Sequence, residues 1–174
     1  VLGHHLVGPD GHEARDEANV SSTAIRRALI EGRLEDANLM LGRPHEMRGP
    51  VVDGDRRGRE IGFPTANVAI GEEILMPADG IYAGWLTPLD SSDDTGNHLP
   101  AAIYVGKRPT FYTDEAVTLL EVHCLDWSGD LYGRRVGVRF LHRVRGDRRF
   151  GSVDELAAQL AHDCDDARRL LADR

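Results

Sequence analysis

A chain of 174 residues suffices for one domain with a filled core and a short appendage, and falls short of two full domains. Its 41% hydrophobic and 29% charged residues are ordinary for a globular protein in water, and no apolar run approaches the ~18 residues of a membrane span. A net charge of −8 argues against a protein that coats nucleic acid, because such binding rests on many Lys and Arg neutralising phosphates.

The start, Val1-Leu2-Gly3-His4-His5, has no basic head, apolar run or small-residue cleavage site of a secretory signal, and no initiator Met. Residues 1–20 show little periodicity, and the expectation is a loop left from something longer. At Ser21-Ser22-Thr23 hydroxyl side chains can accept from the free N–H groups of a first helical turn. Ile25, Leu29 and Ile30 follow at helical spacing and Gly32 ends the pattern. A second short helix runs from Leu34 to Leu41 and stops at Gly42, with Pro44 just beyond. The pair reads as a helical linker, so a boundary is expected between 1–43 and 44–174.

After Pro44 the texture changes to short runs with β-branched residues: Val51-Val52, Ile81 to Trp85, Ala101 to Val105, Val117 to Leu125 and Val136 to Leu141. About six strands without intervening helices favour antiparallel pairing, and a sheet of this size closes into a barrel to remove its edges. The stretch from Asp90 to Asn97 is polar and reads as a loop without a function. Ser152 with Glu155 three positions on forms a capping-box pattern, followed by a stripe of Leu156, Leu160, Cys164, Ala167 and Leu171. That helix is expected to lie on the barrel in a structural role. Cys124 and Cys164 make neither a metal spacing nor a disulfide framework and read as reduced core residues of a cytoplasmic protein.

Chemistry concentrates in the stretch from Gly49 to Asn67. Gly49, Gly54, Gly58 and Gly62 fall within fourteen residues after a strand, where a backbone can approach an anion and present N–H groups to it. Plain turns use glycine in the same way, and neither the P-loop nor the dinucleotide fingerprint is present. In Pro64-Thr65-Ala66-Asn67 the proline stiffens the turn, and Thr65 and Asn67 point the same way from an extended segment, so both oxygens can meet one hard cation such as Mg2+. An Asn that merely bonds the turn backbone is the alternative. Alternation along Val117 to Leu125 places Glu121 among apolar neighbours in mid-strand, a candidate general base or the partner of an Arg, with His123 on the same face. Arg139, His142, Arg143, Arg145, Arg148 and Arg149 form a local basic run, either a solvated face or a contact for a small phosphorylated ligand.

Taken in order and spacing, the Gly-rich loop ending in Pro64-Thr65-Ala66-Asn67 resembles the riboflavin kinase family. So do Pro77-Ala78-Asp79-Gly80-Ile81-Tyr82, Val105-Gly106-Lys107-Arg108-Pro109-Thr110-Phe111, Glu121-Val122-His123, Asp130-Leu131-Tyr132-Gly133 and Arg145 followed by Phe150. Ser21 to Arg26 with the two helices is similar to the end of the adenylyltransferase half of bacterial FAD synthetases. The resemblance implies a six-stranded antiparallel Greek-key barrel with a C-terminal helix and N-terminal linker helices. It further implies residues 1–43 as the remnant of an adenylyltransferase domain, which the full-length protein would carry, and 44–174 as the kinase domain. The implied reaction moves the γ-phosphate of ATP to the terminal ribityl hydroxyl of riboflavin, giving FMN and ADP. By matched position Thr65 and Asn67 would hold Mg2+ and nucleotide phosphates, Gly54, Gly58 and Gly62 would approach ATP, Glu121 would be the base and Arg145 would contact flavin. Tyr104 departs from the family pattern of a small or amide residue before Val-Gly. A non-catalytic flavin-binding or flavin-sensing barrel is the second reading, against which Thr65, Asn67 and Glu121 stand together.

Overall fold

Val136, Val138 and Phe140 alternate along one strand and are fully buried, while Arg135 before them and Arg139 between the last two turn outward. This period-two pattern, repeated in neighbouring strands, wraps a sheet around one apolar interior. The computed structural model describes residues 20–54, 57–90, 98–108 and 117–172. The expected remnant before residue 20, most of the polar loop up to Asn97 and the Pro109-Thr110-Phe111 part of the family pattern lie outside the described residues.

The elements in chain order are α1 (Ser22–Ile30), α2 (Leu34–Leu41), β1 (His45–Val52), α3 (Arg57–Glu60), β2 (Ala66–Val68), β3 (Gly80–Pro88), β4 (Leu99–Arg108), β5 (Val117–Cys124), β6 (Arg135–Gly146) and α4 (Val153–Ala172). All pairings are antiparallel and the sheet closes in the order β1-β2-β5-β4-β3-β6. Strands β3 to β5 form a meander, β5 pairs back to β2, and β6 returns beside β3 to close on β1. This is the Greek-key barrel that the sequence predicts. Among the described residues no helix is long and apolar enough to cross a membrane.

Three local features depart from the sequence pattern. Strand β1 begins at His45 and runs through Gly49, where an added Cβ would stand 2.0 Å from the Ala69 carbonyl oxygen, so only glycine fits. Strand β2 spans three residues, too few for alternation to register. The basic run at the end of β6 is divided by the strand's two faces and by ion pairs: Arg139 bonds Glu46, Arg145 bonds Asp163 and Arg148 bonds Glu155. It forms no continuous patch.

Helix α4 starts as its cap predicts, with the Glu155 N–H donating to Ser152 Oγ at 3.1 Å. The Glu155 carboxylate accepts from Gly151 N–H at 2.9 Å, one residue earlier than in the standard box. Cys164, Ala167 and Leu171 pack on Ala83, Ala102, Leu125 and Leu141 on the barrel's outer side. The small residues Ala83 and Ala102 let the helix approach the sheet. Burial pushes the Cys124 thiol up to about 12 and the Cys164 thiol up to about 11, which keeps both protonated.

Helices α1 and α2 cap the barrel where β1 begins. Ala28, Leu29, Leu34 and Ala37 are buried in the same cluster as Tyr82, Val138 and Phe140. The helices thus contribute to the barrel core as well as leading into it. Asn38 secures the junction, donating to the Phe140 carbonyl at 2.9 Å and accepting from His45 N–H at 2.7 Å. His45 and Phe140 are register partners at the end of the β1–β6 ladder, so the side-chain amide satisfies groups the ladder leaves open. Asn38→Ala is expected to cost about 1–3 kcal/mol of stability, read as a lower urea midpoint with an unchanged m-value.

Candidate active site

The register of the barrel aligns the candidate residues in one row. Val52 faces Asn67, Asn67 faces Glu121, Glu121 faces Tyr104, Tyr104 faces Ile81 and Ile81 faces Arg145. Directly opposed residues share a face of the sheet. That face is the outer one, because on β5 the buried side chains are Leu120, Val122 and Cys124, at 2%, 1% and 7% exposure. Glu121 and His123 therefore project outward and are half-buried by what lies over the barrel.

What lies over them is a cavity of about 320 Å³ between the barrel, α4 and the loop around α3. Ile81, Tyr104 and Glu121 line its sheet side, Leu156, Leu160 and Asp163 its helix side, and Phe63 and Phe150 two further walls. The first half of the α4 stripe thus borders open space while the second half packs, a role beyond the structural one expected for this helix. Arg145 also borders the cavity, with its guanidinium held by Asp163 at 2.8 and 2.7 Å. Asp163 is only 1% exposed, so this bidentate pair satisfies a buried carboxylate and ties α4 to β6. Burial, with the charges of Asp147 and Glu121, raises the Tyr104 phenol above its ordinary value, and it stays protonated.

A second cavity of about 200 Å³ opens where β1 ends and β2 begins, lined by Arg59, Thr65, Asn67, Trp127, Asp130 and Tyr132 among others. Thr65 borders both cavities, and its hydroxyl donates to Glu121 Oε2 at 3.3 Å. The structure brings Thr65, Asn67 and Glu121 onto neighbouring positions, Asn67 opposite Glu121 and Thr65 bonded to it. The glycines serve the loop differently. Gly58 borders the larger cavity, and its missing side chain leaves room for the Phe63 carbonyl, 2.3 Å from where a Cβ would stand. Gly54 lies on the Asn67 amide, and Gly62, at φ +86°, turns the chain and faces a separate outer groove.

Thr65 and Asn67 offer neutral oxygen donors, and among the described residues no group of three His, Cys, Asp or Glu could hold a metal. That donor set fits a hard cation whose other positions belong to water and phosphate oxygens, as with Mg2+, and does not fit zinc. Sequence reasoning missed Arg59, Trp127, Phe63, Phe150 and Asp163 as lining residues. Arg59 stood within the glycine-rich stretch, where a cation beside backbone N–H groups is itself a phosphate signal. Phe63 lies in the same stretch and Phe150 in the family pattern, but neither carried a role, and Trp127 and Asp163 gave no signal, because an aromatic or acidic residue beyond a strand reads equally as core or surface.

A family model described as riboflavin kinase matches residues 41–171. The chain belongs to the riboflavin kinase family. It is 40% identical over 153 residues to a bifunctional riboflavin kinase/FMN adenylyltransferase of Listeria monocytogenes, covering 88% of this chain and 46% of the relative. The chain therefore spans about half the length of the curated relatives it matches. Among solved structures it is similar to the riboflavin kinase of Trypanosoma brucei, with a TM-score of 0.54 and 25% identity over 73% of this chain and 79% of the other. It is also similar to a Streptococcus pneumoniae chain described as a macrolide-efflux protein, with a TM-score of 0.77 and 38% identity over 88% of this chain and 48% of that one. The riboflavin kinase assignment rests on the family model and the curated relatives.

Proposed function

We propose that this chain transfers the γ-phosphate of ATP to the terminal ribityl hydroxyl of riboflavin, giving FMN and ADP. The observation that carries the reading is the position of Thr65, which borders both cavities and bonds Glu121 across their junction. A phosphoryl group passed between two substrates must cross such a junction. The larger cavity, with Phe63, Phe150, Leu156 and Leu160 on its walls, suits a flat apolar ring system, and we assign riboflavin to it. The smaller cavity, beside the glycine-rich loop with Arg59 at its edge, suits the nucleotide phosphates.

Phosphoryl transfer depends mainly on positioning and charge neutralisation. Thr65 and Asn67 are the side chains we assign to Mg2+, which when bound would offset the charge of the nucleotide phosphates. Glu121 accepts the ribityl hydroxyl proton as the new O–P bond forms and the bond between the γ-phosphorus and the ADP oxygen breaks. The protonated Tyr104 beside it is an unsuitable base. Arg145, held by Asp163, borders the flavin side and fixes α4 over it. Of the three loop glycines we assign Gly54, which lies on the Asn67 amide, to the approach to ATP, since Gly58 borders the flavin cavity and Gly62 a separate groove.

Residues 44–174 make up the kinase domain in this reading, and 1–43 join it to an adenylyltransferase domain of the whole protein, which acts in the cytoplasm on small molecules. A non-catalytic flavin-binding barrel is disfavoured, because binding flavin alone needs neither metal ligands nor a base. The test is ADP release with ATP and Mg2+, in the presence and absence of riboflavin, with chromatography of the flavin product. Riboflavin-dependent ADP and stoichiometric FMN are expected. Flavin binding without riboflavin-dependent ADP would favour the sensing barrel and sink the kinase reading.

A further inference from the structure

The side chain of His123 takes no part in the steps above. It stands two positions from Glu121 on the outward face of β5, and its Nδ1 lies 2.8 Å from the carbonyl oxygen of Pro64. A carbonyl only accepts, so Nδ1 carries the hydrogen and the bond selects the tautomer. The ring also meets Phe63 edge to face, with centroids 5.6 Å apart. The following loop residue, Thr65, donates to Glu121. Two side chains of one strand therefore hold three successive loop residues, Phe63, Pro64 and Thr65. Upstream the loop is closed on itself, since Phe63 N–H donates to the Gly58 carbonyl at 2.7 Å. A loop closed in this way is seated on β5 by the contacts beyond it, His123 at Pro64 and Glu121 at Thr65, ahead of the Ala66–Val122 pairing.

We infer that His123 is a positioning residue, whose Nδ1–H bond to Pro64 seats the loop so that the Thr65 hydroxyl stands at the junction of the two cavities. The inference rests on the reading that Thr65 faces the nucleotide phosphates. Losing the bond leaves Glu121 and Asn67 in place and frees Thr65 to shift with the loop. A misplacement of about 1 Å can cost about 10²-fold in rate.

The test compares His123→Asn, His123→Gln and His123→Leu. An Asn amide can present an N–H near the place of Nδ1, the Gln amide reaches beyond it toward the place of Nε2, and Leu has no donor. Three quantities are measured: kcat, the Kd for Mg·ADP by calorimetry without turnover, and deuterium uptake of the peptide spanning residues 58–65. The Leu and Gln variants should lose about 10- to 100-fold in kcat, bind Mg·ADP about 10-fold more weakly and exchange faster. The Asn variant should recover most of all three. Asn behaving like Gln, or Leu like the unaltered protein, overturns the role of His123. Should Leu fail to fold, the Asn and Gln pair decides alone. Thr65→Val is the control for the underlying reading. If it leaves turnover and Mg·ADP affinity unchanged, the assignment of the cavities fails, whereas a damaged Thr65→Val beside a normal His123→Leu removes only the positioning role.

Discussion

Glu121→Gln is expected to lower kcat by about 10²–10⁴-fold, the usual contribution of a positioned general base. A ribityl alcohol is a poor nucleophile until its proton has somewhere to go. Glutamine keeps the length of the side chain and an oxygen that can accept from the Thr65 hydroxyl, now bonded at 3.3 Å, so the junction keeps its shape. Basicity alone is lost. Riboflavin and Mg·ADP should still bind, and the melting temperature should stay within a few degrees. A scaffold role predicts another pattern, because breaking a buried ion pair costs about 3–5 kcal/mol and would appear first in stability. A folded Gln variant that binds both ligands and turns over normally would remove Glu121 from the chemistry, and one that unfolds would return it to the scaffold.

The barrel was legible because its signals are local and repeated. Gly42 takes the left-handed C-cap at φ 67° that ends α2, and the Ser152 cap opens α4. Alternation along β5 and β6 marks which side chains fill the interior. The glycine-rich loop and the Pro64 to Asn67 segment left a plain turn open when read alone, and gained their meaning from standing in order and spacing with Glu121 and Arg145 as in the riboflavin kinase family. What escaped notice depends on partners far apart in sequence. The pattern 117–125 separates Glu121 from Leu120 and Val122, yet it does not say that the Glu121 face looks outward into a cavity under α4. Only barrel closure and the seating of Cys164, Ala167 and Leu171 on Ala83 and Ala102 create that space. The basic run left a solvated face and a phosphate contact open, and three of its six members, Arg139, Arg145 and Arg148, are instead paired with Glu46, Asp163 and Glu155, distant in the chain or on another element. Helices α1 and α2 read as a linker because a short amphipathic helix looks the same whether it connects domains or closes a barrel. Their burial against Phe140 and Tyr82 appears only in three dimensions.

Asn67→Ala is expected to reduce turnover by about 10²–10³-fold, since the charge stabilisation supplied through a metal site is worth several kcal/mol and each 1.36 kcal/mol is tenfold. Activity should recover in part as Mg2+ is raised. The fold should persist, because β2 is held on both sides by backbone pairing, Val51 with Val68 and Ala66 with Val122. Gly54 supplies an independent way to disturb the same group without changing it. A Cβ added there would stand 2.1 Å from Asn67 Nδ2 and 2.8 Å from its Oδ1, so Gly54→Ala must push the amide aside. That variant should lose activity in the same direction and to a smaller extent, because a side-chain amide can rotate away from a methyl group. Asn67→Asp keeps an oxygen in place and should retain more activity than Ala at saturating Mg2+, with an unchanged melting temperature. The measurement is kcat against Mg2+ concentration for the three variants. If Asn67→Ala matches the unaltered protein in both turnover and Mg2+ requirement, the amide is no ligand and serves only to bond the turn, whatever Gly54→Ala does.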